Sequence, residues 1–348
     1  MQRRFAAGLL GRFRHAAIRS GLEAASLARG LGLAPTAAGA IFTLHHVRPR
    51  APKPFEPNLH LEITPAFLDS AIRQLRQAGW RFVAADALPA LLAGGQRGPF
   101  AAFTLDDGYR DNLEHALPVF LRHGVPFTVF VAKGFGERTH SIWWEVLADL
   151  IGHRDRVVFD FGQGEEPLRI DTGARKQAAF DRFAAFMHSA PEEEAAARID
   201  ALARRHGLEP LELTRALTMD AGELRRLAAH PLASLGAHTV SHRAIARLPE
   251  AEARREMRQS ADYVAEISGT APAAIAYPYG TQPACGPREA TLAGEFGFVV
   301  GLTTRPGILK AGQQSETRLL PRLSLNGHYQ KPRYALALAS GLPTLLLR

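Results

Sequence analysis

Residues 100–131, FAAFTLDDGYRDNLEHALPVFLRHGVPFTVFV, compose one strand–helix–strand unit. Phe100–Leu105 is a short apolar run that leads directly into Asp106-Asp107-Gly108-Tyr109. Leu113–His123 follows as a helix ended by Gly124, and Pro126–Val131 as a second buried strand. Strands joined through a helix run parallel with a right-handed crossover, and in such architectures active sites assemble at the C-terminal strand ends. The two carboxylates therefore stand where chemistry is expected.

The same rhythm extends in both directions. Upstream, Ala40–Leu44 is a short strand delivering His45 and His46, and Thr64-Pro65 opens a helix with Phe67, Leu68, Ile72 and Leu75 on one face and Gly79 past its end. Arg81–Ala84 is a short strand and Asp86–Leu92 a short helix. Downstream, residues 133–217 break the pattern with Trp143-Trp144, a polar hairpin-like stretch at Arg156–Ile170 and Ala-rich helices around Ala174–His188 and Glu192–His206, which mark an insertion. The rhythm resumes with a Thr218-capped helix, strand Ala233–Ala237, helix Pro249–Ser268, strand Ala274–Tyr277, a helix around Pro287–Phe296, and strands Phe298–Leu302 and Leu319–Leu325. The fold class is α/β, either a barrel or a doubly wound sheet. Residues 1–39 form a basic amphipathic segment, 40–330 the catalytic domain with its insertion at 133–217, and 331–348 an apolar C-terminal helix.

Composition narrows the function. The 348 residues are 46% hydrophobic and 22% charged, as in soluble globular domains, and a single cysteine, Cys285, permits neither an internal disulfide nor a Cys-rich zinc site. Any metal must be held by His and carboxylate. Of the net charge of +8, most lies in the first 50 residues, where eight arginines face only Glu23. No chain-wide basic surface exists for nucleic acid. Phe5, Leu9 and Phe13 recur at helical spacing, with Leu27 and Leu31 near the same face. Such a segment either packs on the domain or lies on an anionic membrane surface. Without a continuous apolar core or cleavage site it does not read as a secretory signal, so the expected location is cytoplasmic, with membrane association on the cytoplasmic face as an option.

Three clusters carry chemistry. Asp106 and Asp107 leave the end of one strand, and Gly108 permits the tight turn that brings both into one cleft, one to bind metal and the other to accept a proton. His238-Thr239-Val240-Ser241-His242 follows another strand, and histidines four apart can chelate one ion. Two His and one carboxylate leave coordination positions open, which is a catalytic arrangement. Tyr277-Pro278-Tyr279-Gly280 ends a third strand. Trp143 and Trp144 are either a stacking platform for a ligand or the packing face of a helix Ile142–Ile151.

Thr104-Leu105-Asp106-Asp107-Gly108-Tyr109, His238–His242 and Tyr277–Gly280, in this order, resemble the first three motifs of the polysaccharide deacetylases, the NodB-type carbohydrate esterases of family 4. Leu44-His45-His46-Val47 resembles a motif at the first strand of that family. The resemblance implies a distorted (β/α) barrel and a hydrolase acting on carbon–nitrogen bonds, removing acetyl groups from N-acetylglucosamine-type glycans with a divalent metal, commonly zinc. It further implies Asp107, His238 and His242 as metal ligands and Asp106 as general base. The Tyr279 backbone N–H becomes the oxyanion donor, with Tyr109, Pro278 and the Tyr279 side chain against substrate.

The chain departs from that pattern three times, once through the insertion, which separates Asp107 from His238 by 131 positions. Ala276 stands where many members carry an arginine that orients the base, and Arg322 is the expected replacement. The Leu-x-His that supplies a general acid in many members is matched only by Leu325-Asn326-Gly327-His328, one residue too long, so His45 competes with His328 for that role. The alternative to an enzyme is a catalytically impaired glycan-binding or assembly protein on the same fold.

Overall fold

The computed structural model describes residues 15–28, 37–94, 98–310 and 317–342. Its centre is a barrel of parallel strands: β1 (Gly39–Leu44), β2 (Phe100–Leu105), β3 (Phe127–Val131), β4 (Ala233–Ala237), β5 (Ala274–Ala276), β6 (Val300–Pro306) and β7 (Leu320–Ser324). They neighbour one another in chain order, and β7 pairs back onto β1 with Phe42 opposite Leu323, which closes the ring. A two-residue strand, Arg81–Phe82, lies against the start of β2. Closure decides between the two architectures open from the sequence.

Alternation along the strands sorts their side chains. Ile41, Ala102, Phe130, Ala274, Val300, Leu302 and Leu320 come from strands all around the ring and meet in one cluster, the barrel interior. Phe42, Leu44, Ala101, Phe103 and Leu105 face outward onto helices, including Pro65–Gln77, whose Phe67, Leu68, Ile72 and Leu75 supply the matching stripe. Thr64 caps that helix by accepting from the Phe67 N–H at 3.2 Å. The parity that points Ile41, Ala102 and Leu320 inward also points Thr43, Thr104 and Arg322 inward, so polar groups lie above the apolar interior. Pairing of β6 with β7 shifts register between Leu302 and Pro306, setting Pro306 opposite Arg322.

Between β3 and β4 the chain builds a second core. Helices Trp143–Gly152, Gly173–Ser189 and Glu192–Arg205 and the hairpin Arg156–Asp160/Glu165–Arg169 share one apolar cluster. Tyr109 belongs to the same cluster, so the insertion packs on the residues after β2.

Two local expectations change. The helix Ala221–Ala228 is capped by Asp220, not Thr218: Asp220 accepts from Glu223 N–H while the Glu223 carboxylate accepts from Asp220 N–H. Such a box satisfies two free N–H groups where Thr218 would satisfy one. The Thr218 hydroxyl instead reaches Thr214 O at 2.9 Å. Residues 15–28 are helical, but their buried face is Leu22 and Ala25 against Tyr329, Tyr334 and Ala337, while Leu27 is 70% exposed. The face expected around Leu27 is therefore rotated away. Phe5, Leu9, Phe13 and Leu31 lie outside the described residues, as do residues 343–348. The C-terminal helix spans Arg333–Ala339 among those described. No helix among them is long and apolar enough to cross a membrane.

Candidate active site

Asp106 follows β2 with the inward parity of Ala102 and Thr104, so it points into the mouth of the barrel above Arg322 of β7. Arg322 is 1% exposed and spends its whole donor fork there. Nη1 donates to Asp106 Oδ1 at 2.8 Å and Nη2 to Oδ2 at 2.7 Å. Nη1 also donates to Thr104 Oγ1 at 3.1 Å, and Nε to Thr303 O at 2.8 Å. Burial pushes the Asp106 carboxyl up, but the charge and hydrogen bonds of Arg322 overcome this and hold it below the usual carboxylate range. The carboxylate is ionised and fixed in one rotamer.

Asp107 would point away from Asp106 on a continued strand. Its backbone instead takes φ +70° and Gly108 takes φ +68°, turning the Asp107 carboxylate toward the end of β4. There His238 Nε2 lies 3.5 Å and His242 Nε2 3.3 Å from Asp107 Oδ1. Thr239, His242 and Tyr279 also have positive φ, at 64°, 55° and 58°, so most of the non-glycine residues in this region of backbone space surround one cleft. Such conformations cost about 1–3 kcal/mol each and persist where the surroundings impose them. Burial pushes the Asp107 carboxyl up, and the two histidines reverse this, holding it well below the ordinary value.

These three residues fit a metal ion. Their candidate ligand atoms lie within 4.8 Å of one another, all three are buried, and Asp107 Oδ1 has no hydrogen-bond partner. Donors bound tetrahedrally at ~2.1 Å stand roughly 3.4 Å apart, close to the separations found here. His238 Nδ1 lies 2.7 Å from Ala276 O, so a proton there leaves Nε2 as the free donor facing Asp107.

The loop carrying both histidines is clamped by two residues that the sequence motifs did not indicate. Glu256, buried on helix Glu250–Ser268, accepts from Val240 N–H at 2.7 Å, Ser241 N–H at 3.0 Å and Ser241 Oγ at 2.6 Å. Ser260 Oγ, one turn further, accepts from His238 N–H at 3.2 Å. The available signal is a glutamate among Ala253, Met257, Val264 and Ile267 on the buried face of an amphipathic helix. Gly134 allows this loop to approach, because a Cβ there would stand 2.7 Å from Val240 O.

His45 Nε2 lies 4.0 Å from Asp106 Oδ2. Burial pulls its imidazole down to about 4 against the opposing charges of Asp107 and Asp106. Asn112 Nδ2 donates to His45 O at 2.8 Å, and Asp111 accepts from Val47 N–H at 3.0 Å and meets His46 Nδ1 at 2.5 Å, so the turn after β2 holds the exit of β1. That turn includes one π-helical stretch, Asn112–Ala116. His328 sits elsewhere, with its ring 4.5 Å from that of His15 and beside Tyr329. Of the two candidates for the acid role, His45 is the one with a contact to Asp106 among the described residues.

The aromatic residues are more buried than expected. Tyr109 is fully buried, stacks on His46 at 3.6 Å and accepts from Trp144 Nε1 at 3.0 Å, so it supports the wall from behind and does not face substrate. Trp143 Nε1 donates to Tyr279 Oη at 3.1 Å. Trp143 and Trp144 are 8% and 7% exposed, which excludes an open stacking platform; they pack the insertion onto the motif tyrosines and line a cavity beside His242. Pro278 is buried and Tyr279 half-buried, at the rim of that cavity.

Comparison with known proteins agrees with this architecture. The family model described as polysaccharide deacetylase matches residues 190–294, which include the histidine loop and Tyr277–Gly280 but not the two aspartates. No curated protein matches. Among solved structures, the Streptococcus pyogenes deacetylase PplD, determined with acetate, is 16% identical, with 84% of this chain and 94% of that one covered at TM-score 0.55. IcaB from Ammonifex degensii is 18% identical, with 88% and 98% covered at TM-score 0.55. A de-N-acetylase from Aggregatibacter actinomycetemcomitans is 12% identical, with 83% and 95% covered at TM-score 0.52. At these identities the solved structures speak for the fold, and the family model matches a segment of the chain that carries two of its three motifs.

Proposed function

We propose that the protein is a metal-dependent hydrolase that removes N-acetyl groups from N-acetylglucosamine-type oligo- or polysaccharides. The observation that carries this reading is the division between two adjacent carboxylates: Asp106 is held by a guanidinium fork, and Asp107 is shared between two histidines. Metal-assisted amide hydrolysis uses both roles within one cleft, a proton acceptor and a ligand for an electrophilic ion. Asp107, His238 and His242 would hold a divalent ion such as zinc, which when bound polarises the acetyl carbonyl and acidifies water.

The remaining steps fall to the chain. Asp106 accepts the proton of the attacking water, and Arg322 keeps its rotamer and charge fixed while it does so. The Tyr279 backbone N–H donates to the developing oxyanion. His45, 4.0 Å from Asp106 and held neutral at neutral pH by burial, would first take up the proton that Asp106 has accepted and then pass it to the departing sugar nitrogen. The products are acetate and a free amine.

The glycan-binding alternative rested on the missing motif arginine and on the uncertain general acid, and the fork of Arg322 on Asp106 answers the first of these. The test is acetate release from N-acetylglucosamine oligomers by wild type and Asp106→Asn, with and without chelator. Acetate from wild type alone, abolished by chelation, supports the reading; no acetate from any N-acetylated sugar refutes it.

A further inference from the structure

The turn Pro278-Tyr279-Gly280 holds a backbone donor that the rest of the fold leaves free. Gly280 N–H donates back to Pro278 O at 2.7 Å, closing a three-residue turn with Tyr279 at its centre and φ +58° there. Three-residue turns with positive φ at the centre are rare and strained. The carbonyls of this turn are engaged as well: Tyr279 O accepts from Thr304 Oγ1 at 2.5 Å and Gly280 O from Thr304 N–H at 3.1 Å. The Tyr279 N–H makes no hydrogen bond among the described residues.

Peptide planarity turns these contacts into a relay. In a trans peptide the C=O and N–H point in opposite directions, so holding one fixes the other. Thr304 Oγ1 holds the Tyr279 carbonyl and with it the Gly280 N–H of the same plane. That N–H holds the Pro278 carbonyl, whose plane carries the Tyr279 N–H. Position 280 requires glycine, because its φ is +61° and a Cβ would stand 2.3 Å from Thr304 N. Trp143 reaches only the hydroxyl at the far end of the Tyr279 side chain, so the backbone direction rests on Thr304. The neighbouring Thr303 O accepts from Arg322 Nε at 2.8 Å, within the part of β6 where pairing with β7 shifts register.

Building on the deacetylase reading, we propose that Thr304 is a positioning residue for the oxyanion donor, its hydroxyl setting the direction of the Tyr279 N–H through two peptide planes. One irregular stretch of β6 then orients both halves of the machinery, the base through Thr303 O and Arg322, and the oxyanion donor through Thr304.

The test compares Thr304→Val, which keeps the shape and removes the hydroxyl, with Thr304→Ser, which keeps the hydroxyl and removes the methyl; Thr304→Ala replaces the valine variant if that one does not fold. The substrate is an N-acetylglucosamine hexamer, and the binding probe is the same hexamer with one acetamide replaced by a tetrahedral methylphosphonamidate. Thr304→Val should lower kcat by roughly 10–100-fold, less than the ~10²–10³ lost when an oxyanion-hole donor is removed outright. Its KM and metal content should stay within twofold of wild type, and calorimetry should show the phosphonamidate bound at least tenfold more weakly. Thr304→Ser should recover most of both losses. An unchanged kcat in Thr304→Val, a loss that appears in KM alone, or an equal loss in Thr304→Ser overturns the proposal while leaving the deacetylase reading intact. No acetate from wild type overturns that reading and this proposal with it.

Discussion

Asp106 and Asp107 are covalent neighbours with different fates because of backbone and partner. Strand parity sends Asp106 inward to Arg322, and a left-handed φ turns Asp107 to the histidines. Asp106→Asn keeps the geometry but removes the base, so turnover should fall by roughly 10²–10⁴ with metal content unchanged, measured by acetate release and elemental analysis. Loss of the metal in this variant would make Asp106 a ligand instead.

Arg322 makes a second, independent prediction. Removing one partner of a buried ion pair costs about 3–5 kcal/mol, so Arg322→Met should be strongly destabilised in urea unfolding. Arg322→Lys should retain more of the fold and still be much less active, because an ammonium cannot form the fork. The pH dependence follows from Asp106. Its folded-state pKa is depressed, so the pair's contribution is fully present above the ordinary carboxylate range and is lost as pH falls through the lowered value. Wild-type stability should thus decline on acidification below about pH 4, and Asp106→Asn should flatten that part of the curve.

At the scale of elements, helix Glu250–Ser268 sets the histidine loop through Glu256, although it contributes no ligand. Burial pushes the Glu256 carboxyl up, and the Ser241 hydroxyl, two backbone N–H groups and Arg243 bring it below its ordinary value, so it works as a charged acceptor. Glu256→Gln should weaken ion binding by about 10–100-fold in competition with a chromophoric chelator, with little change in the circular dichroism of the fold. Equal affinity in the variant would reduce Glu256 to a packing role. Strand ends and the histidine spacing were legible in sequence because period and strand-to-turn transitions are local properties. The clamp was not, because a glutamate among apolar helix positions shows that something is paired without showing with what. The same limit applies to Trp143 and Trp144: their pattern allowed platform or packing, and only the tyrosine hydroxyls that they meet decide for packing.

Across the whole molecule, barrel closure brings β7 beside β1 and so sets Arg322 beneath Asp106. The sequence allowed two α/β architectures, since parallel strands alternate with helices in both, and closure depends on pairing between the first and last strands. Residues 15–28 lie on the C-terminal helix, where Glu23 accepts from Lys331 Nζ at 2.7 Å, from Arg333 and from Tyr334 Oη at 2.6 Å. These partners, led by Lys331, pull the half-buried Glu23 carboxyl down to about 2. The latch is therefore present above about pH 4.5 and lost as pH falls toward 2. Glu23→Gln should speed amide exchange in residues 15–28 at neutral pH without changing the exchange of the barrel strands.

The account as a whole depends on Asp107, His238 and His242 acting together on one ion. The most direct measurement strips the protein with chelator, titrates zinc back, and follows acetate release from N-acetylglucosamine oligomers in wild type and His238→Ala. Recovery in wild type that saturates at one ion per chain, with none in a folded His238→Ala, is the predicted result. Acetate release that survives stripping, or that returns equally in His238→Ala, would contradict the account.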